Sequence, residues 1–319
     1  MNGPERQTCA VAPGGPLRPW LELVRAPNLL TALADAAAGF LFTHPALARQ
    51  DLPWFALLAT ASVLLYAGGV VLNDVFDCET DRRERPQRPL PSGRVSIRAA
   101  ERLGWSLLAG GLALGWAVAA GTAELRPALV ATGLAAMIVA YDRVIKRTPL
   151  GPVAMGACRS LNLLLGMSTA AGPWGAEHAL IAVAIGLYVT GVTWFARTEA
   201  SSSRQGQLMV AAVVVLAGIA LLEPLPRWTA DPVVALLRAE PIRWLLLLAT
   251  VAGLVGIRLL RAIVDPSPHF VQAAVRHCIF SLIVLDAAIA FVTQGLLPAA
   301  TVILLLVPAT ILARFAAST

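Results

Sequence analysis

Charged residues are scarce in this sequence. Only 14% of its 319 residues are Asp, Glu, Lys or Arg, whereas 57% are hydrophobic and the mean hydropathy is +0.71. So little charge excludes a soluble domain folded around one core and indicates a polytopic membrane protein. Cysteine is also rare. The four cysteines lie far apart and form no CxxC pair, so we expect free thiols rather than a disulfide framework or a zinc site.

Lysine is almost absent, because 24 of the 25 basic residues are arginines and the one lysine is Lys146. A net charge of +6 would suit nucleic-acid binding in a soluble protein. In a membrane protein, arginines mark the cytoplasmic loops instead, and we therefore expect no nucleic acid among the partners.

Ten apolar segments predict an all-α, polytopic membrane helix bundle. They cover about 27–43, 53–76, 99–121, 125–141, 152–171, 177–196, 207–223, 242–262, 275–293 and 296–315.

The distribution of basic residues predicts the orientation of the bundle. With the N-terminus in the cytoplasm, 20 of the 25 basic residues fall on the cytoplasmic side. We therefore expect a multi-pass protein of a bacterial-type plasma (inner) membrane with both termini inside. Residues 1–19 are polar and rich in Pro and Gly, which predicts a disordered cytoplasmic tail before a single transmembrane domain at 20–319.

A polar stretch closes the second apolar segment. On a helix, Asn73, Asp77 and Asp81 lie four residues apart on one stripe, and Asp74 lies beside Asp77. A solvated helix end would explain carboxylates alone. Hard oxygen ligands at the mouth of an apolar cavity also suit Mg²⁺, which usually brings phosphate oxygens with it. We predict catalytic roles for all four residues and Mg²⁺ contacts from Asn73, Asp77 and Asp81.

Seven arginines follow this acidic stripe directly: Arg82, Arg83, Arg85, Arg88, Arg94, Arg98 and Arg102. Between them, two prolines stiffen the segment RPLPSGR at 88–94. A metal ion neutralises part of the charge of a diphosphate, and guanidinium groups bind the rest. The combination favours a diphosphate site that includes Arg88.

The pattern NDxxDxxxD at 73–81, followed by RPLPSG at 88–93, resembles the first aspartate-rich motif of the UbiA superfamily of intramembrane prenyltransferases. The resemblance implies nine to ten transmembrane helices around a central cavity. It also implies Mg²⁺-dependent transfer of a prenyl group from a polyprenyl diphosphate to an electron-rich acceptor, either aromatic or lipid-like.

The first apolar segment contributes further candidates. Arg25 and Asn28 match an R-x-P-N opening that faces the cavity in this family, so the resemblance implies substrate binding. Asp35 falls in mid-helix, where a carboxylate costs about 2.5–3.5 kcal/mol to insert. It should therefore face a cavity or a partner, and both acceptor binding and a structural hydrogen bond would explain it. Asn162 and Asp286 raise the same two alternatives.

The segment at 141–151 links the fourth and fifth apolar segments. It resembles a family loop that carries a tyrosine and a Lys-Arg pair near the diphosphate, which implies substrate binding by Tyr141, Lys146 and Arg147. A lone lysine in a chain that otherwise uses arginine suggests a specific point-charge contact. A generic cytoplasmic loop is the alternative.

A second motif departs from the family pattern. The family carries R-D-x-x-x-D-x-x-x-G at the end of helix six, where it binds a second metal. Here Arg197 and Gly206 keep their places, but Thr198 and Ser202 replace the two aspartates, and the only carboxylate is that of Glu199. A divergent branch, such as the members encoded in ebo-type clusters, is one assignment for this variation.

Three alternatives follow for the second metal site. Glu199 rotates inward and one or two ions still bind; or one metal with Arg197 and Arg204 holds the diphosphate; or the protein binds a prenyl lipid without ionising it. We include Arg197, Thr198, Glu199 and Ser202 among the substrate-binding candidates, and Glu199 among the metal ligands.

Three functional classes remain open at this point. The first is a prenyltransferase, and the second is a catalytically weakened protein of the same fold that binds a prenyl lipid or its conjugate or helps to transport it. The third is an unrelated transporter, which gives no reason for the intact spacing at 73–93. Candidate acceptors are aromatic acids, quinone precursors, tetrapyrroles, sugar phosphates and glycerol-phosphate lipids.

Overall fold

The computed structural model describes residues 17–197, 205–229 and 240–317. Every regular element in these ranges is a helix, which confirms the predicted all-α bundle. The predicted tail lies outside the described residues up to position 16, and the first helix begins at Arg18. Positions 198–204, which include most of the divergent second motif, also lie outside them.

Thirteen α-helices occupy the described residues. They are α1 Arg18–Leu23, α2 Ala26–Thr43, α3 Leu52–Glu84, α4 Ile97–Thr122, α5 Arg126–Arg143, α6 Gly151–Met167, α7 Ala176–Ala196, α8 Gln205–Ala220, α9 Leu225–Trp228, α10 Pro241–Val264, α11 Pro268–Gln294, α12 Leu296–Ile303 and α13 Leu306–Ala317. Each of the ten apolar segments is therefore helical, and the tenth is divided into α12 and α13. Short 3₁₀ turns precede α3 and α6.

Seven stretches of the described chain are long and apolar enough to cross a membrane. They contain α3, α4, α7, α10 and α11, the pair α8–α9, and the pair α12–α13. Three helices outside that set, α2, α5 and α6, are only 17 or 18 residues long and carry the polar residues Asp35, Asp142, Arg159 and Asn162. Because the bundle interior shields such groups from lipid, polar helices of this kind belong at its centre.

Helix α2 is the central element. It packs against α3, α6, α11 and α13, and most of its residues are buried. Small residues permit the close crossing of α2 and α6, since a Cβ added at Gly39 would meet the carbonyl oxygen of Leu163, and one at Gly166 would meet that of Ala36. Close backbone approach through glycine is the usual way in which helices associate in lipid.

The chain returns repeatedly to one face of the bundle. The start of α2, the end of α3, the α5–α6 turn and the end of α7 meet there, as the ion pairs between Arg25 and Asp74 and between Lys146 and Asp77 show. At the opposite face, Arg126 donates to the carbonyl oxygen of Ala170 at 2.5 Å. Four of the residues singled out from the sequence, Arg25, Asp74, Asp77 and Lys146, therefore gather at the first face.

Candidate active site

An internal cavity of about 280 Å³ opens among α2, α3, α5, α6, α7 and α11. Its walls are mostly apolar and include Val70, Leu134, Val192 and Leu282. Its polar lining groups are Arg25, Asn28, Tyr66, Asn73, Tyr141, Asp142, Arg159, Asn162, Tyr188 and Thr193. A concave, apolar site with a few convergent polar groups is the usual form of a small-molecule site.

The acidic stripe lies on α3, which continues without a break to Glu84. Asn73 lines the cavity, and its Oδ1 accepts a hydrogen bond from Lys146 Nζ at 2.8 Å. The same ammonium group lies 2.7 Å from Asp77 Oδ2, and Arg147 reaches Asp77 Oδ1 at 3.5 Å. One side of the stripe thus presents an amide oxygen and a carboxylate to a single cation.

The other two acids face a different pair of cations. Arg88 Nη1 lies 2.7 Å from Asp81 Oδ2 and 3.4 Å from Asp74 Oδ1, while Arg25 Nη2 lies 2.9 Å from the same oxygen of Asp74. Both acids are buried. Because Asp74 and Asp81 are seven residues apart, they share a helix face, and Arg88 bridges them.

Arg25 lies in an unusual backbone conformation. Its φ and ψ angles are 48° and 54°, in the left-handed region, and it is the residue that precedes α2. Non-glycine residues held there cost about 1–3 kcal/mol and occur preferentially at functional sites. The conformation directs the side chain to Asp74 at the cavity, so the start of α2 is held against α3.

Lys146 is presented by a short 3₁₀ turn at Ile145–Arg147. Arg197, at the end of α7, donates from Nη2 to the carbonyl oxygen of Lys146 at 3.0 Å and also to that of Thr148. Tyr141 lines the cavity, whereas the side chain of Arg147 is 64% exposed. The only lysine therefore sits on a turn whose backbone is fixed by an arginine of the second motif.

A second polar network lies deeper in the bundle. Arg159 donates to Asp35 Oδ2 and to Thr31 Oγ1, each at 2.7 Å, and Asn162 Nδ2 donates to Asp35 Oδ2 at 3.1 Å. Ser62 donates to Asn162 Oδ1 at 2.7 Å. Asp35 is fully buried and does not line the cavity, so it acts on the cavity through Arg159 and Asn162, which do.

Sequence reasoning singled out neither Arg159 nor Asp142 for the site. Arg159 is a charged residue inside an apolar segment, and its position could have marked it as a residue of the bundle interior. Its Cζ atom lies 4.9 Å from the centre of the Tyr66 ring, a cation–π distance. Asp142 was hidden inside the loop that resembles the family pattern, yet it is buried and lines the cavity.

Four residues of the sequence analysis cannot be placed. Thr198, Glu199, Ser202 and Arg204 lie outside the described residues. Of the second motif, the structure describes Arg197, at the end of α7, and Gly206, in the first turn of α8.

The donor set around Asn73 and Asp77 fits a hard divalent cation. Two oxygens that already share one ammonium group at 2.7–2.8 Å can face a metal ion in the same way. Within the described ranges no three His, Cys, Asp or Glu converge as a preformed cluster. Mg²⁺ needs no such cluster, because it is usually held by one or two carboxylates together with substrate phosphates.

The three carboxylates of the stripe are paired with cations of the chain. Asp74 lies within 3.4 Å of Arg25 and Arg88, Asp81 lies 2.7 Å from Arg88, and Asp77 lies within 3.5 Å of Lys146 and Arg147. A diphosphate would therefore compete with these carboxylates for the same cations. An added divalent cation would offset that competition.

The sequence of the chain is similar to that of known proteins. The model of the UbiA prenyltransferase family matches residues 32–269. A digeranylgeranylglyceryl phosphate synthase from Ignicoccus hospitalis is 37% identical over 168 residues, which are 52% of this chain and 52% of that protein. One from Metallosphaera sedula is 32% identical over 160 residues, 50% of this chain and 54% of the relative. The chain thus spans about half the length of the curated relatives it matches.

Solved structures share the fold. A structure described as that of digeranylgeranylglyceryl phosphate synthase in membranes superposes with a TM-score of 0.62 and 22% identity, over 88% of this chain and 99% of that chain. A UbiA homolog from Archaeoglobus fulgidus, bound to DMAPP and Mg²⁺, superposes with a TM-score of 0.59 and 16% identity, over 82% of this chain and 98% of that chain.

Proposed function

Because the chain belongs to the UbiA prenyltransferase family, we propose that it transfers a prenyl group from a polyprenyl diphosphate to an electron-rich acceptor inside the membrane. The observation that carries the proposal is that Asn73, which lines the polar end of an apolar cavity, shares the Lys146 ammonium group with Asp77. Such a cavity suits a substrate with a charged headgroup and a hydrocarbon tail.

The headgroup is held by the cations of this end of the cavity. Arg25, Arg88 and Lys146 come from three separate segments: the residue before α2, the loop after α3 and the α5–α6 turn. Guanidinium and ammonium groups bind phosphate oxygens and stabilise the negative charge that develops on a departing diphosphate. Arg147 is exposed and contributes at the rim.

Mg²⁺ is the proposed cofactor, and Asn73 and Asp77 are the residues that would hold it. When bound, it supplies Lewis-acid stabilisation of the leaving diphosphate. Asp74 and Asp81 act differently, because each is paired with Arg88: they orient this guanidinium and keep it beside the stripe. Asp74 also holds Arg25.

The apolar part of the cavity receives the prenyl chain and excludes water from the reacting carbon. The allylic carbon becomes cation-like as the diphosphate departs, and a dry pocket leaves it to the acceptor rather than to water. Asn28, Tyr141 and Asn162 line the same space and are the proposed polar contacts for substrates. Asp35, which does not line the cavity, accepts hydrogen bonds from Asn162 and Arg159 and so orients both side chains.

The acceptor is proposed to carry a nucleophilic oxygen or an electron-rich aromatic ring. The relatives' name, digeranylgeranylglyceryl phosphate synthase, favours a lipid-like, hydroxyl-bearing acceptor of the glyceryl phosphate type. The distribution of basic residues along the sequence, with 20 of 25 assigned to the cytoplasmic side, supports a site that faces the cytoplasm.

Release of inorganic diphosphate from an allylic prenyl diphosphate tests the proposal. The purified protein in lipid nanodiscs should release diphosphate with Mg²⁺ and stop when EDTA is added. Asp77→Ala should lose the activity. Glu79→Gln on the same helix should keep it, because the side chain of Glu79 is 71% exposed and bonds only to Arg82 among the described contacts. Metal-independent release, or an active Asp77→Ala protein, would contradict the proposal.

A second candidate is a prenyl-lipid-binding protein that has lost turnover. It is favoured by the aspartates missing at Thr198 and Ser202, and by the engagement of each stripe carboxylate with a cation of the chain itself. The double variant Thr198→Asp/Ser202→Asp discriminates between the two. Diphosphate release that appears only in this variant supports the binding protein, whereas turnover by the natural sequence supports the enzyme.

A further inference from the structure

Asp142 is a buried carboxylate whose charge has no matched partner. The residue is 4% exposed and lines the cavity. Within the described part of the chain, its Oδ2 atom is buried and accepts no hydrogen bond. A buried charged oxygen without a partner is destabilising, because burial removes its hydration and nothing replaces it. Such a group persists where a ligand completes it.

The position of Asp142 on its helix is also unfavourable. It is the penultimate residue of α5, which ends at Arg143. Unsatisfied carbonyl groups give the C-terminal end of a helix a partial negative charge, so a carboxylate there is repelled. Asp142 therefore needs a positive neighbour more than an ordinary surface aspartate does.

The nearest cations are already engaged. Asp142 interacts electrostatically with Lys146 and Arg25, and also with the carboxylates of Asp77 and Asp74. Lys146 Nζ, however, bonds to Asn73 and Asp77, and Arg25 bonds to Asp74. Asp142 thus interacts electrostatically with the acidic stripe, and among the described residues it has no ion pair of its own.

A carboxylate in this place would repel a diphosphate unless a cation lay between them. Asp77 on α3 and Asp142 on α5 are close enough to interact electrostatically, and Mg²⁺ is usually held by one or two carboxylates together with substrate phosphates. The second motif lacks aspartates at Thr198 and Ser202, so the headgroup site is one or two carboxylates short of the family pattern. Asp142 supplies a carboxylate to the lining of the cavity.

We propose that Asp142 is a ligand of a divalent cation that bridges the α5 wall of the cavity to the substrate diphosphate, in place of the aspartates missing from the second motif. The proposal rests on the proposed function for its substrate class. It adds a metal ligand outside both aspartate-rich motifs.

Mn²⁺ binding tests the proposal without turnover. Free Mn²⁺ is followed by electron paramagnetic resonance while it is titrated into the full-length protein in nanodiscs, with and without inorganic diphosphate. With diphosphate present, Asp142→Asn should bind one Mn²⁺ fewer, or bind it at least tenfold more weakly, than the natural protein and Glu79→Gln. Asp142→Glu should restore part of the binding, because it keeps the carboxylate.

Thermal unfolding of the metal-free protein gives a second reading. A metal ligand left without its ion is a strained site, so Asp142→Asn should unfold at the same temperature as the natural protein or higher. A purely structural acid would instead give a lower unfolding temperature in the variant, and that result would overturn the proposal.

The outcomes separate this proposal from the proposed function. Equal Mn²⁺ titrations for the natural protein and Asp142→Asn would overturn the ligand assignment, and a loss of turnover with those equal titrations would identify Asp142 as a catalytic base instead. Mn²⁺ binding that depends on Asp142, in a protein that releases no diphosphate from any allylic substrate, would support the metal site and contradict the prenyltransferase.

Discussion

Arg197 holds the backbone of Lys146. Its Nη2 atom donates to the Lys146 carbonyl oxygen at 3.0 Å and to the carbonyl oxygen of Thr148. The first residue of the divergent second motif therefore fixes the turn that carries the only lysine of the chain. A Cβ at Gly151 would lie 2.6 Å from Arg197 Nη2, so glycine there keeps the space open. The end of α7 and the α5–α6 turn are therefore linked through Arg197.

Arg197→Ala should weaken binding of the prenyl diphosphate more than it slows the reaction. The variant removes the hydrogen bonds that position Lys146, whose ammonium group faces Asn73 and Asp77. We expect KM for the diphosphate to rise about tenfold, or ~1.4 kcal/mol, with a smaller change in kcat. Steady-state kinetics check this, and Arg227→Ala on the short helix α9 is the control. An unchanged KM would show that the turn holds its shape unaided.

The acidic stripe could be predicted because it depends on local geometry alone. Residues four apart share a helix face in any continuous helix, and α3 is continuous through 73–81. The ten apolar segments were found for the same reason, since hydrophobic length is a property of the sequence itself. The split of the stripe into a pair facing Lys146 and a pair facing Arg88 was not foreseen. The split depends on the positions that the loop with Arg88 and the turn with Lys146 take beside α3 in the folded protein.

Tertiary contacts decided the rest of the site. Arg159 and Asp35 are 124 positions apart, and only the crossing of α2 and α6 brings them together. The sequence marked Asp35 as needing a cavity or a partner, and the structure provides a partner that lines the cavity. Asp142 lay unmarked in a loop motif because its burial and its missing partner are visible only in three dimensions.

Lys146→Met should impair the headgroup site without unfolding the protein. The variant keeps the length and the apolar stem of the side chain but removes the ammonium group that Asn73 and Asp77 share. We expect KM for the prenyl diphosphate to rise at least tenfold, or ~1.4 kcal/mol, because one of the cations around the diphosphate is lost. Lys146→Arg should recover part of this loss. If Lys146→Met kept the natural KM, the lysine would have no role at the headgroup.

The buried pair of Asp35 and Arg159 should behave as a unit in unfolding. Asp35→Asn removes the carboxylate that pairs directly with the buried Arg159 guanidinium, and removal of one partner from a buried pair typically costs about 3–5 kcal/mol. Asp35→Asn and Arg159→Met should each lower the unfolding temperature clearly, and the double variant by less than the sum. Thermal unfolding of all four proteins in one detergent measures this coupling. Additive shifts would mean that the two side chains are stabilised independently.

The crossing of α2 and α6 should tolerate no added methyl group at Gly166. A Cβ there would meet the carbonyl oxygen of Ala36 and lie 2.9 Å from its carbonyl carbon, both of them backbone atoms that cannot rotate away. Gly166→Ala should therefore separate the two helices, lower the unfolding temperature and disturb the contact of Arg159 with Asp35.

Gly133 on α5 provides the matched control, because no atom lies within 4 Å of an added Cβ there. Gly133→Ala should raise the unfolding temperature slightly or leave it unchanged, since alanine favours the helix by about 0.5–1 kcal/mol over glycine. Thermal unfolding in detergent compares the two variants directly. The unfolding temperature should fall for Gly166→Ala and stay the same or rise for Gly133→Ala, although both variants add one methyl group. Equal shifts would mean that helix propensity, and not the approach of α2 to α6, determines the response at Gly166.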